Sequence, residues 1–390
     1  MRNVKTINKL NLSGKRVFIR CDFNIPIKNG KITDNYRILN ALPTIKYVLK
    51  QKPKQIILAS HLGRPKPGAG KENDVYSLAV VAKELSKLLK KTVELHTVID
   101  APTNPKQKIV LLENLRFFSG EKKGELKFAK QLATHADVYI NDAFGTAHRK
   151  DASVYALAKL LPHAGGLLLE KEVKNVHLNH KKPIVAIFGS AKIADKLPLF
   201  KKLLTKVDKL ILGGGVVFTF MKAANMEVGQ SLVEEEMTGE AKKLLKKYSS
   251  KIIFPTDFAV ASKAKFRGKI KVDAKDITLV DFDAIPKSKA AFDVGSKSVK
   301  LFSAVLARSK TVIWNGPLGV FEVKPFDRAT NTIIKFLADN KLTVIIGGGD
   351  TASAVRKTKY ADKMTHISTG GGASLELLAG NKLPAIEVLK

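Results

Sequence analysis

The chain has 390 residues, 45% of them hydrophobic, with 27 glycines and a single cysteine, Cys21. That length exceeds one ordinary core and suits two domains, the apolar content excludes wholesale disorder, and one cysteine excludes both a disulfide framework and a cysteine-built zinc site. Sixty-eight lysines and arginines against 35 acids give a formal charge of +33, which raises nucleic acid as a partner, yet 57 of those cations are lysines scattered along the whole chain, and dispersed lysine reads as a solvated surface.

The N-terminal stretch MRNVKTINKLNLSGKR holds no apolar segment of the signal-peptide kind. The lone cysteine points to a reducing compartment, so a cytoplasmic location is expected. Short apolar, β-branched runs then recur, each ending in Gly, Asn, Asp or Ser. In chain order they are RVFIRCDFN (16–24), QIILAS (55–60), KIVLLEN (108–114), DVYINDAFG (137–145), IVAIFGS (184–190), KLILGGG (209–215), KIIFPTD (251–257), TVIWNGP (311–317), TVIIGGG (343–349) and HISTGGG (366–372). Such runs suit strands buried on both faces. Helical patterns separate many of them, for example Leu78 to Leu89 and Glu240 to Tyr248. The alternation predicts an α/β fold with parallel sheets covered by helices. The longest suspicious apolar stretch, Leu210 to Met221, contains three glycines and is too short for a membrane span. The charged run from Glu170 to Lys182 has no strand signal and reads as a helical connector between two halves.

Ligands in such folds sit at the carboxyl ends of the strands. Arginine is scarce, with 11 in the chain, and four follow the four strand ends of the first half: Arg37, Arg64, Arg116 and Arg149. A guanidinium fork binds phosphate or carboxylate bidentately. Four at corresponding positions read as an anion site, with His61 and His148 as added donors. Asp22 and Asn24, which end the first strand, read either as partners of a substrate hydroxyl or as turn-forming residues.

In the second half, FGSAKIADK places Lys192 and Lys196 four residues apart. On a helix they share a face near its positive end, a geometry for polyphosphate; two solvated lysines are the equal alternative. Three triple glycines close strands: Gly213–Gly215, Gly347–Gly349 and Gly370–Gly372. The second leads into Asp350 and Thr351 at the start of a helical pattern. Backbone N–H groups there, with the Thr351 hydroxyl, can hold phosphates, and Asp350 can hold Mg²⁺. GGGDTA also fits a dinucleotide fingerprint, but the acidic residue expected at the end of the next strand is missing. There is no G-x-x-x-x-G-K-[ST], H-E-x-x-H or G-x-S-x-G motif.

Taken together, RCDFN, HLGRP, ENLRF, NDAFGTAHR, AKIADK, GGG, WNGPLGVFE, GGGDT and STGGGAS, in this order from about residue 16 to 376, resemble the phosphoglycerate kinase family. Two departures are visible: Ser190 stands where a second glycine is usual, and Val216 where methionine is common. The resemblance implies two Rossmann-like domains with parallel sheets facing each other across a cleft. It places a phosphoglycerate-binding domain at 1–170, a connecting helix at 171–182 and a nucleotide-binding domain at 183–373, with 374–390 packing back on the first. It implies reversible phosphoryl transfer from 1,3-bisphosphoglycerate to Mg-ADP, giving 3-phosphoglycerate and ATP, by a monomer with Mg²⁺ as cofactor and with neither a membrane nor a dedicated nucleic-acid partner. Carried over by motif, Asp22, Phe23, Asn24, Arg37, His61, Leu62, Gly63, Arg64, Arg116 and Arg149 bind the phosphoglycerate. Lys192, Lys196, Gly213, Gly214, Gly215, Glu322, Gly348, Gly349, Asp350 and Thr351 bind the nucleotide, Asp350 with the metal and Glu322 with the ribose. Arg37, Lys192 and the backbone of Gly370, Gly371 and Gly372 serve the transition state. Substrates split between two halves require the halves to close. The rivals are a dehydrogenase, tested by NADH against Mg-ADP, and a nucleic-acid binder, tested by the salt slope of its affinity.

Overall fold

The computed structural model describes residues 4–68, 71–99, 103–104, 106–262 and 277–390. Residues 1–3 of the N-terminal stretch lie outside it. The chain divides into two compact units, one of Met1–Lys174 with Lys382–Lys390 and one of Asn175–Asn381.

The first unit contains β1 (Arg16–Arg20), a small hairpin of β2 (Ile27–Lys28) and β3 (Lys31–Ile32), then β4 (Gln55–Ala59), β5 (Glu94–His96), β6 (Ile109–Leu112), β7 (Val138–Asn141) and β8 (His163–Gly165). Six of these form a sheet in the order β5-β6-β4-β1-β7-β8, with every neighbouring pair parallel. β4, β6 and β7 are buried at every position, as unbroken apolar runs require when both faces are covered. Val17 and Ile19 of β1 and Ile56 and Leu58 of β4 pack with Ile38, Ile45 and Val48 of helix Tyr36–Lys50 and with Val81 and Leu85 of helix Ala79–Leu89.

The second unit contains β9 (Ile184–Gly189), β10 (Lys209–Gly213), β11 (Ile252–Ile253), β12 (Asp257–Ala261), β13 (Thr278–Asp281), β14 (Ala290–Val294), β15 (Thr311–Asn315), β16 (Thr343–Gly347) and β17 (His366–Ile367). Its main sheet is parallel throughout, in the order β11-β10-β9-β15-β16-β17. Numbered by appearance, that is 3-2-1-4-5-6, the dinucleotide-fold order, whose direction reverses between β9 and β15. In the first unit the corresponding reversal lies between β1 and β7.

The α/β class and the parallel sheets agree with the sequence pattern. β5, β8, β13 and β14 answer to none of the runs read from the sequence, and three further details differ from it. The run 251–257 does not form one strand: it breaks at Phe254-Pro255-Thr256, and Asp257 opens an antiparallel sheet of order β13-β12-β14. Pro255 has no N–H to give a ladder. The helix expected over 171–182 spans Leu167–Asn175 instead, starting where Asp142 accepts hydrogen bonds from the N–H groups of Leu168 (2.9 Å) and Leu169 (3.1 Å). The chain then runs without helix towards Pro183, and Lys182, which precedes that proline, is itself disfavoured in the helical region.

The third difference is the return of the chain to the first unit. It begins at Lys382, not near 374, because helix Gly372–Leu378 belongs to the second unit. Gly380, at φ +87°, ends that helix, with Gly380 N–H on Leu377 O at 3.0 Å and Asn381 N–H on Glu376 O at 2.9 Å. This pair of bonds satisfies the last carbonyls and turns the chain. Leu383, Ala385, Ile386 and Leu389 are then buried, and Ala385 N–H and Lys5 N–H bond to Ala147 O (3.1 Å) and Leu389 O (3.0 Å). Among the described residues no helix is long and apolar enough to cross a membrane.

Candidate active site

In the first unit the side chains gather past the carboxyl ends of β1, β4, β6 and β7. Both oxygens of Asp22 accept from Arg37 Nη1 at 2.9 Å, and Asn24 O accepts from the same nitrogen at 3.2 Å. Asn24 Oδ1 accepts from Gly63 N–H at 2.9 Å, and Phe23 N–H donates to Ser60 Oγ at 2.8 Å. The loop after β1 is thereby locked to the loop after β4. Asn114, fully buried, extends the lock to the loop after β6. Its amide donates to Leu62 O (2.8 Å) and Tyr76 O (2.9 Å), while its oxygen accepts from Leu62 N–H (3.2 Å) and Arg116 N–H (3.1 Å).

Arg116 is buried and donates to Gly63 O at 2.6 Å, yet its Nε has no partner. A buried guanidinium nitrogen without an acceptor is costly, and an anion is the partner that would offset that cost most. Burial, then the neighbouring Arg149, pushes its pKa down. His61 is buried as well, and its pKa is held well below the ordinary histidine range. Desolvation is the first cause, followed by the charges of Arg20, Arg116, Arg149 and Arg37. Four guanidinium groups therefore act on one imidazole, which stays neutral.

Three of the four arginines expected in this cluster are in that group. Arg64 is not: it is exposed beyond Gly63 and does not contribute to the field at His61. Its place is taken by Arg20, the last residue of β1, fully buried. Sequence reasoning passed over Arg20 because it sits inside an apolar strand run; the rarity of arginine was the available signal. Asn114 was passed over in ENLRF, where it caps the short helix Leu115–Phe117.

In the second unit a cavity of about 410 Å³ opens beside the β9/β15 reversal, with Lys196, Gly214, Gly215, Glu322 and Asp350 among its lining. Phe218, Phe258 and Leu232 give it an apolar wall, suited to a heterocyclic base. Burial lowers the Lys196 pKa, opposed by the nearby Asp350, and Lys196 Nζ lies 3.5 Å from Asn315 Oδ1. Asn315, at the end of β15, is buried with its Nδ2 unpartnered; it is a further donor at the strand reversal that sequence reasoning left unassigned within WNGP.

Several expectations change here. Lys192 and Lys196 do not share a helix face. Helix Leu197–Lys206 starts after them, preceded by a short turn at Ala194–Lys196, because Pro198 fits only the first helical turn. Lys192 is exposed, in a segment held by Ser190 Oγ, which donates to Lys192 O at 2.6 Å, and by Glu234, which accepts from Ile193 N–H. Thr351 is buried, and its hydroxyl accepts from Gly316 N–H at 2.6 Å. Gly213 is pressed against Leu318 rather than the cavity. Gly348 caps helix Gly349–Arg356, whose first turn holds Asp350 and Thr351. Of the last glycine run, only Gly372 is helical, with Gly371 as its cap, and Gly370 N–H donates to Ser368 Oγ at 3.1 Å.

A carboxyl with a raised pKa borders the cavity. Asp293 is buried, and its pKa is raised to about 8, by desolvation first, against hydrogen bonds from Ala329 and Val294 N–H and aggravated by Asp327. A carboxyl raised in the folded state adds stability at acid pH, and that contribution is lost as pH rises from its unfolded value through about 8. The stability of Asp293→Asn relative to the native chain is thus expected to rise between pH 6 and pH 9, by an amount on the order of a few kcal/mol. Thermal denaturation at both pH values checks this; an unchanged difference would place the carboxylate in water.

Comparison with known proteins gives the family. The profile of the family described as phosphoglycerate kinase matches residues 7–381. The phosphoglycerate kinase of Trichodesmium erythraeum is 46% identical over 403 residues, covering 100% of this chain and 98% of that one. The Kluyveromyces lactis enzyme is 45% identical, covering 98% and 97%. The structure of phosphoglycerate kinase from Coxiella burnetii superposes with a TM-score of 0.86 at 38% identity over 99% of both chains. That from Pyrococcus horikoshii gives 0.85 at 28% identity, over 99% and 98%. A guanidinium cluster past one parallel sheet and a glycine-edged cavity past the other thus occur in a chain whose sequence and fold match throughout, and this chain belongs to the phosphoglycerate kinase family.

Proposed function

We propose that the first unit binds the phosphoglycerate and the second the magnesium nucleotide in the reaction of this family, the glycolytic transfer of phosphate between 1,3-bisphosphoglycerate and ADP. The observation that carries this assignment is the set of four arginines acting on buried His61, beside the partnerless Arg116 Nε. Such a field suits a small, highly charged anion. Asp22 orients Arg37, and Asn24 and Asn114 hold the loops carrying His61 and Arg116. Lys196, Glu322 and Asp350 fit the nucleotide by lining one cavity with an apolar wall. Localisation in the cytoplasm and action as a monomer belong to the same reading.

No group of three or more His, Cys, Asp or Glu side chains among the described residues could hold a metal alone. That fits Mg²⁺ held by one carboxylate, the exposed Asp350, with nucleotide phosphates and water. When bound, the ion offsets phosphate charge. The chain's own contribution is positioning and neutralisation of the transferred group's oxygens. Arg37, Lys192 and the N–H groups of Gly371 and Gly372 carry that task, Gly370 N–H being held by Ser368 Oγ. Towards ATP consumption the acceptor is a carboxylate ionised near neutral pH, so no general base is needed. A neutral His61 is consistent with a binding role.

Two measurements test this. A coupled assay is expected to detect ATP formed from 1,3-bisphosphoglycerate and Mg-ADP. Asp350→Asn is expected to weaken Mg-nucleotide about tenfold or more, one charged contact, and metal-free nucleotide less. Equal weakening of both would reduce Asp350 to a helix-terminus residue.

A further inference from the structure

We propose that Arg20 is a positioning residue that holds the His61 ring in its Nε2–H tautomer, presenting that proton to the bound anion. The proposal rests on the assignment of His61 to the phosphoglycerate site. Arg20 ends β1 and is completely buried. Three neighbours fix its guanidinium. Nε donates to Ser153 Oγ at 2.7 Å, Nη1 donates to Cys21 O, and Nη2 lies 3.7 Å from Glu121 Oε1. Glu121 is itself fully buried and accepts from Ser153 Oγ at 2.6 Å and Ser153 N–H at 3.0 Å. The remaining direction of Nη2 is towards His61 Nδ1, at 3.4 Å.

The chemistry then leaves one choice. A guanidinium only donates, so Nδ1 must accept, and the single proton of a neutral imidazole lies on Nε2. An Nδ1–H tautomer would set two donors against each other in a dry site. A second proton is opposed by burial and by all four charges that face the ring, those of Arg20, Arg37, Arg116 and Arg149. No described residue accepts from Nε2. Its proton is therefore left for a ligand. The ring is a donor whose strength does not vary with pH, unlike an ordinary surface histidine.

Side-chain nitrogen NMR of the histidines in the full chain tests the proposal. His61 is assigned by loss of its signals in His61→Gln. The expected spectrum shows Nδ1 unprotonated and Nε2 protonated, unchanged from about pH 5.5 to 8. The opposite tautomer, or titration within that window, overturns the proposal. In Arg20→Met/Glu121→Gln, which removes both buried charges together, His61 is expected to titrate or to mix tautomers. The ratio of variant to native KM for 3-phosphoglycerate is expected to rise about fivefold from pH 6 to 8, one hydrogen bond's worth. A folded double variant that keeps the native tautomer and a flat ratio overturns the role of Arg20. If the double variant does not fold, the native spectrum decides alone. Separately, 3-phosphoglycerate is expected to shift Nε2. A native tautomer without that shift would remove His61 from the binding site while leaving the Arg20 interaction intact.

Discussion

Arg37→Ala is expected to lower kcat by roughly two or more orders of magnitude, since one charge-assisted contact made in the transition state contributes several kcal/mol at about 1.4 kcal/mol per decade. Arg37 stands in the first turn of helix Tyr36–Lys50, an end of the helix that repels a cation. Asp22 offsets this by accepting twice from Nη1 at 2.9 Å. A salt bridge that was only structural would leave turnover near native when removed. Because Asp22 is buried, the variant also strands a carboxylate, and some loss of stability is expected with it. Nucleotide affinity separates the two effects. The cavity proposed for the nucleotide is lined by residues of the second unit alone, so the dissociation constant for Mg-ADP should stay within about threefold, under 1 kcal/mol. A folded variant with near-native kcat would remove Arg37 from the transition-state assignment.

Gly316→Ala is expected to destabilise the second unit by about 3 kcal/mol or more and to abolish tight nucleotide binding. Gly316 follows β15 with φ +90°, a region that residues with a Cβ rarely occupy. A Cβ there would lie 1.2 Å from Gly189 O and 2.2 Å from Gly189 C. Both are backbone atoms of the adjacent strand β9, so no side-chain rotation relieves the overlap. The opposing contact is as tight, since a Cβ on Gly189 would lie 1.9 Å from Pro317 O. Relief needs β9 and β15 to part at the strand reversal, where Gly316 N–H meets Thr351 Oγ1 at 2.6 Å and Gly189 lines the cavity. Chemical denaturation followed at the buried Trp314 of β15 measures the loss. A variant with native stability would show that the loop relaxes freely.

The contrast between these two sites shows what could be read from residues alone. Arg37, Arg116 and Arg149 were legible because arginine is scarce and each follows a strand run; a parallel sheet aligns strand ends, so local position implied convergence. Arg64 shares the same local position and does not converge, because the loop after His61 turns it outward. Arg20 does converge, from within a strand. Which of two arginines faces a cluster depends on side-chain direction and on distant partners, here Glu121 and Ser153 more than 100 residues away, and no local pattern encodes that. The lysine pair shows the same limit in reverse. Its spacing suggested a shared helix face, but Pro198 delays the helix until Leu197.

Local chemistry by itself determined the α/β class, the positions of most strands of the two parallel sheets and many of the strand-end residues that carry charge. Continuous apolar β-branched runs have few ways to be buried other than in covered parallel sheets. Tertiary structure alone decided the strand order that reverses between β9 and β15, the antiparallel sheet opened at Asp257, and the return of the chain at Lys382 to bury Leu383 and Leu389. It also decided which polar groups remain without partners, Arg116 Nε and Asn315 Nδ2. Each of these outcomes sums many contacts between residues remote in sequence, every one worth about 1 kcal/mol or less. Only the assembled packing selects among them, because no single segment carries enough of that energy to choose its own partner.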